Sequence, residues 1–199
     1  MSVSAIWEPS TILVARIGEG ARGDVLVAVS GSVDSLSKRG IVEPDSCRRL
    51  AKVGVGVAVP PGSPTPELAD EDSLRRALLG ARSVAYSRSG ASGLYFVSLL
   101  DRLGIRSQVE ARATRFDRGF TATALLDGRA DLAIQQLSEL SYVEGVSVVG
   151  ALPGTLQRYT EFSVARFADR DQDDLRELYD AIVGSPAAAA YRDAGLIVL

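Results

Sequence analysis

Between positions 53 and 151, short apolar runs alternate with helical patterns, and that alternation leaves few architectures open to the chain. "VGVGVAV" (53–59), "SVAYS" (83–87), "DLAIQQ" (131–136) and "VSVVGALP" (146–153) read as buried strands. In the first of these the interleaved glycines permit close backbone approach. Between them, "DEDSLRRALLGA" (70–81) puts Leu74, Ala77, Leu78 and Ala81 on one helical face, with acidic residues at its start. A second helix over 92–103 carries Leu94, Phe96, Val97, Leu99, Leu100 and Leu103 and stops at Gly104. A further helix ends at Leu126 before an Asp127-Gly128 turn. Strands separated by helices imply an α/β fold with a largely parallel sheet.

The flanks continue the pattern. "DVLVAVSGS" (24–32) reads as a strand ending in small polar residues, followed by a short helix that Gly40 terminates. "PPGSPTPEL" (60–68) is too rich in proline for regular structure and reads as a surface loop at a lobe boundary. "TEFSVARFA" (160–168) is a strand. Two helices close the chain, over 171–184 and 185–196, the latter with Pro186 in its first turn.

Composition removes several chemistries. The 199 residues contain no histidine and a single cysteine, Cys47, so an internal disulfide, a histidine-based triad and a Cys/His zinc site are all excluded. No run of acids has calcium-loop spacing. No metal or cofactor is expected, and acid–base work falls to Asp, Glu, Tyr or Lys. A net charge of −3 gives no argument for a nucleic-acid partner. The start lacks a signal-peptide pattern and no long apolar run suggests a membrane span, so the chain as written reads as cytoplasmic.

The most suggestive stretch is "YSRSGASG" (86–93), where a strand hands over to a helix. A helix start exposes unpaired N–H groups and about half a positive charge, which favours anions. Gly90 and Gly93 would let a ligand approach, and Ser87, Ser89 and Ser92 add hydroxyl donors. The plainer reading is that Ser92 caps its own helix. Neither a dinucleotide fingerprint nor a Walker loop is present.

Several segments taken together resemble a known family: "SVAYSRSGASGLYFVSLLDRLGI", "LLDGRADLAIQQLSEL", "VSVVGALPGTLQRYTEFSVA", "GSPAAAAYRDAGL" and the front stretch 12–50. They are similar to molybdate-binding-like solute receptors of the type II periplasmic-binding-protein fold, a group that includes aconitate-isomerase-like enzymes. The likeness lies in the order of many weak segments rather than in one motif. It implies two lobes, 1–59 with 160–199 and 60–159, and a ligand held between them by helix N-termini and hydroxyls. By position it points to Ser10 and Thr11 in a first-lobe loop, and to Ser30 and Ser32 at the end of a strand. In the second lobe it points to Ser92 and Gly93 at a helix start, Arg118 before another helix, and Gln136 after "DLAI". Molybdate binders often carry tyrosine at that last position, so Gln136 points away from molybdate. Each has a plainer reading: Ser10 as a helix cap, Arg118 as a surface arginine, Glu139 as a cap for its turn.

The family's usual first strand and helix have no counterpart here, which implies a truncated first lobe. Either a second copy or another subunit covers the exposed surface, or the chain has lost its natural front end. Two functions compete. One is a binder of a small di- or tricarboxylate that also shifts a proton in the manner of aconitate isomerase, with Glu139, Asp117 or Tyr86 as the base. The other is a transporter receptor for an oxyanion or organic acid, without chemistry, which requires export and hence an upstream signal. A ligand-sensing module of a regulator is a third reading, with no DNA-binding helix pair attached.

Overall fold

The computed structural model describes residues 2–170 and 175–199. They form two compact units, one built from residues up to Lys52 together with Thr160–Leu199, the other from Val53–Tyr159. The first unit opens with α1 (Ser10–Gly18), β1 (Val25–Val29) and α2 (Ser30–Lys38), then β2 (Arg48–Val59), which runs on into the second unit. That unit continues through α3 (Glu71–Gly80), β3 (Val84–Ser87), α4 (Ala91–Arg102), α5 (Arg106–Glu110) and β4 (Thr114–Phe116). It then adds α6 (Thr123–Leu126), β5 (Leu132–Gln136), α7 (Leu137–Tyr142) and β6 (Ser147–Ala151). The chain returns along β7 (Tyr159–Arg166) to α8 (Arg176–Val183), α9 (Ser185–Asp193) and β8 (Ile197–Val198). The first residues of the helix expected over 171–184, positions 171–174, lie outside the described residues.

In the Val53–Tyr159 unit the strands lie in the order β6, β2, β5, β3, β4. β3 runs parallel to both β4 and β5, whereas β2 is antiparallel to β5 and β6. The largely parallel sheet expected from alternation is therefore a mixed one. The inference holds where a helix carries the chain between strands of one direction. β2 instead takes as neighbours two strands far along the chain.

Strand alternation divides this sheet into two unlike faces. Val55, Val57, Val84, Tyr86, Leu132 and Ile134 meet Leu74 and Leu78 of α3 and Phe96, Leu99 and Leu100 of α4. The opposite face is alanine, Ala58, Ala85 and Ala133, against Ala124 and Leu125 of α6 and Leu140 of α7. Small side chains on that face let the two short helices lie close to the strands. The glycines of β2 serve the same closeness: a Cβ on Gly56 would stand 2.3 Å from Leu137 Cδ2 and 2.9 Å from the Gly150 carbonyl oxygen.

The helix starting at Glu71 is capped as its acidic start suggested. Asp70 Oδ1 accepts from the Ser73 N–H (2.8 Å), and Ser73 Oγ accepts from the Asp70 N–H (2.9 Å). At the other end of the next helix, Gly104 takes φ +68°, the left-handed geometry its role as a stop requires. Leu94 departs from expectation: it is 54% exposed, because the apolar face of α4 is carried by Phe96, Leu99 and Leu100.

In the first unit β1 runs antiparallel to β7, from Val25 opposite Arg166 to Val29 opposite Phe162. Ile17, Val33 and Leu36 from α1 and α2 pack on Leu26, Ala28 and Ala165. Leu50, Ala51 and Val164 form a second cluster against Tyr179, Ile182 and Tyr191 of α8 and α9. β2 begins at Arg48 rather than at 53, although "RRLAK" has no strand periodicity. Pairing of Ala51 with Val198 and Lys52 with Ile197 of β8 extends it.

Candidate functional site

Loops leaving the carboxyl ends of parallel strands gather at one edge of a sheet, and such edges are where α/β folds bind ligands. In the Val53–Tyr159 unit the parallel set is β4, β3 and β5, with Ser87 in register with Phe116 and Tyr86 with Ile134. Three segments therefore meet there: 87–91 leading into α4, 116–122 leading into α6, and the direct junction of β5 with α7.

The first segment is folded around Ser87. Its Oγ accepts from the Gly90 N–H at 3.0 Å, and the Arg88 N–H donates to the Phe116 carbonyl at 2.8 Å. A Cβ on Gly93 would fall 1.7 Å from the Ser87 carbonyl oxygen, so glycine is there to seat the start of α4 on the end of β3. This corrects the expectation that Gly93 makes room for a ligand. The room is filled by the chain's own backbone. Ser92 is likewise neither the cap nor an accessible donor, since Gly90 is the N-cap residue and Ser92 is only 3% exposed. Gly90 has no side chain with which to cap α4, and its own N–H is taken up by Ser87 Oγ. Ser89 and Gly90 are half-buried and Ala91 is exposed, so the first-turn backbone stays within reach of solvent on that side.

The second segment carries Asp117, Arg118 and Gly119, all exposed, with Gly119 at φ +84°. It lies against the first: Ser89 Oγ donates to the Asp117 carbonyl at 3.5 Å, and Arg88 Nε stands 3.5 Å from Asp117 Oδ1. Its return leg is fastened to β5. Gln135 Oε1 accepts from the Thr121 N–H (2.8 Å) and hydroxyl (3.0 Å), and Gln135 Nε2 donates to the Gly119 carbonyl (3.2 Å).

At the third segment Gln136 is both the last residue of β5 and the N-cap of α7, and its N–H donates to Glu139 Oε2 at 3.2 Å. Burial pushes the Glu139 carboxyl above its ordinary range, partly offset by hydrogen bonds from the Gln136 backbone and the Gln135 side chain. Gln135 and Gln136 point to opposite faces of β5 and both are buried, at 4% and 5% exposed, because helices cover both sides of the sheet.

Tyr86 is not part of this group. It is 2% exposed, stacks edge-on against Phe96, and donates to Glu110 Oε1 at 3.1 Å, so its hydroxyl meets no ligand. Burial, and then this bond, raise its pKa above the ordinary 10.0.

In the first unit the expected loop and strand-end positions turn out to be helix starts. Ser10 and Thr11 open α1 behind the N-cap Pro9, and Ser10 Oγ accepts from the Val29 N–H at 3.0 Å. Ser10 thus ties α1 to the start of α2 instead of capping its own helix. Ser30 and Ser32 lie in the first turn of α2, since Val29 is strand end and N-cap at once. Ser30 is turned inward, its Oγ 2.7 Å from Ser163 Oγ, which in turn accepts from Arg49 Nη1 at 3.0 Å. Thr11 is exposed and Ser32 half-buried. Among the described residues no group of three or more His, Cys, Asp or Glu side chains is placed to hold a metal ion.

Gln135, Thr121 and Arg88 escaped assignment from sequence, although strand alternation already separated Gln135 from Gln136. Comparison with known proteins agrees with the fold. The chain is 32% identical to an aconitate isomerase of Pseudomonas sp. over 183 residues, which is 91% of this chain and 70% of that protein. The solved periplasmic molybdate-binding protein of Azotobacter vinelandii superposes with a TM-score of 0.73 at 21% identity, over 96% of this chain and 85% of that one. A sulfate-binding protein of Mycobacterium tuberculosis H37Rv superposes with a TM-score of 0.67 at 18% identity, over 94% and 73%. The fold is that of the type II periplasmic binding proteins. The sequence model described as bacterial extracellular solute-binding protein matches residues 2–197. The chain belongs to that family.

Proposed function

We propose that this chain binds a small organic anion of the di- or tricarboxylate class at the carboxyl edge of β3, β4 and β5. The observation that carries the reading is the start of α4: an N-terminus without a side-chain cap, reachable at Ser89, Gly90 and Ala91, beside the loop that bears Arg118. Such a terminus favours negative charge through its first-turn N–H groups, and the exposed Arg118 on the neighbouring loop is of the residue type that forks a carboxylate. Molybdate- and sulfate-binding proteins share the fold, and an aconitate isomerase of Pseudomonas sp. is 32% identical over 183 residues, which supports an anionic ligand.

The finer proposal is a proton-shift isomerisation. A base removes a proton next to a carboxylate-activated double bond, the start of α4 stabilises the charge that develops, and the protonated base returns the proton at the far carbon of the delocalised system as the double bond moves. We assign the base to Glu139, half-buried at the start of α7 with its carboxyl raised above its ordinary range by burial, over Asp117, which is exposed and engaged by Arg88. The test is a panel of unsaturated tricarboxylates incubated with the protein in deuterated water. Label should enter trans-aconitate or cis-aconitate with wild type and drop by roughly a hundredfold or more with Glu139→Gln. Binding without any label incorporation would instead support the second reading, a transport receptor, which the family description favours.

The family's description as extracellular fits the exported alternative rather than the cytoplasmic one. Among the described residues no helix is long and apolar enough to cross a membrane.

A further inference from the structure

Resting on that reading of the site, we infer that Tyr142 is a positioning residue for it, holding the Arg118 loop in place through ring contact with Phe120. The two ring centroids lie 5.0 Å apart and the planes are tilted by 36°, a separation at which aromatic pairs attract. The rings come from different elements. Phe120 follows Arg118 and Gly119 in the segment between β4 and α6, and Tyr142 is the last residue of α7.

α7 is a firm support. Leu140 is fully buried in the alanine-face cluster, and Leu137 packs over β2 where Gly56 carries no side chain. Just past the helix, Val143 and Val146 pack on the same cluster. The loop needs such a support on its outer side. Asp117, Arg118 and Gly119 are all exposed, and Gly119 has no side chain to pack. Thr121 is fully buried against Gln135, which fixes where the loop ends. Phe120, half-buried between them, is the residue through which the outer part of the loop can lean on another element. Tyr142 itself is 73% exposed, so truncating it removes little buried area from the core. It removes the support of Phe120 all the same, and the loss falls on the loop that carries Arg118.

The experiment is a double-mutant cycle in affinity. Tyr142→Ala, Phe120→Ala, the double variant and Tyr142→Phe are titrated calorimetrically with trans-aconitate beside wild type, and amide hydrogen exchange is followed over 117–121. In Tyr142→Ala, exchange over 117–121 should speed up and affinity should fall roughly three- to tenfold. Phe120→Ala should lose a similar factor, and the double variant no more than either single one, because each change removes the same contact. Tyr142→Phe keeps the ring and should bind as wild type does. Losses that add in the double variant, or a loosened loop with unchanged affinity, would overturn the positioning role and leave the anion site standing. Tyr142→Phe binding as weakly as Tyr142→Ala would also overturn it, since the hydroxyl rather than the ring would then matter. Failure of wild type to bind trans-aconitate or any other carboxylate of the panel would overturn the site reading and this role with it. If Phe120→Ala does not fold, the comparison of Tyr142→Ala with Tyr142→Phe decides alone.

Discussion

Two residues show how differently a buried group can act. Gly93 is required by geometry: a methyl there would sit 1.7 Å from the Ser87 carbonyl oxygen, and neither partner is a flexible side chain. Gly93→Ala should therefore cost about 1–3 kcal/mol in urea unfolding, the usual penalty of overpacking. Gly90→Ala, where the nearest atom is the movable Ser87 Oγ at 3.0 Å, should cost much less. Glu139 acts through its proton. Its folded pKa lies above the ordinary 4.5, so the folded state holds the proton at pH values where the unfolded chain has released it. That contribution is complete below pH 4.5 and is lost as pH rises through the raised value. Denaturation from pH 4 to 8 should thus show wild type losing ground steadily to Glu139→Gln. A constant difference would mean that the carboxyl titrates normally. At this scale the sequence was half legible. The types and spacing of 86–93 marked the handover from β3 to α4, but which atoms face inward was not readable. Ser30 and Ser92 were marked as ligand contacts and Tyr86 as a candidate base, and all three are buried.

Elements were more legible than atoms. The helix at Glu71 announced itself by the acids at its start and a periodic apolar face, and it formed with a reciprocal cap. Hydrogen bonds from the Ser73 backbone and side chain hold the Asp70 carboxyl below its ordinary 3.8. Its contribution is present above that value and is lost as pH falls through the folded one, the opposite sign to Glu139. Asp70→Ala should lower the melting temperature at neutral pH, and the gap to wild type should close in acid below pH 3.8. A gap that persists there would show that packing, not the charged cap, is responsible. Strand direction was the weakest element-level inference. "RRLAK" and the antiparallel course of β2 depend on β5, β6 and β8, partners that no local pattern reveals.

At the scale of the molecule, order along the chain carried the fold: many weak segments in one sequence proved a firmer guide than any single motif. The proposed binding site is a smaller patch, where β3, β4 and β5 end together and the start of α4 meets the 117–121 loop. A ligand that binds only the folded form raises the melting temperature, so a thermal screen of citrate, trans-aconitate, sulfate and molybdate should rank the carboxylates first. The sharpest test is a two-dimensional amide NMR titration of the intact protein with trans-aconitate. The account predicts that the largest saturable shifts fall on the amides of residues 89–93 and on Arg118. Saturable shifts confined to other parts of the chain, or none at millimolar ligand, would contradict it.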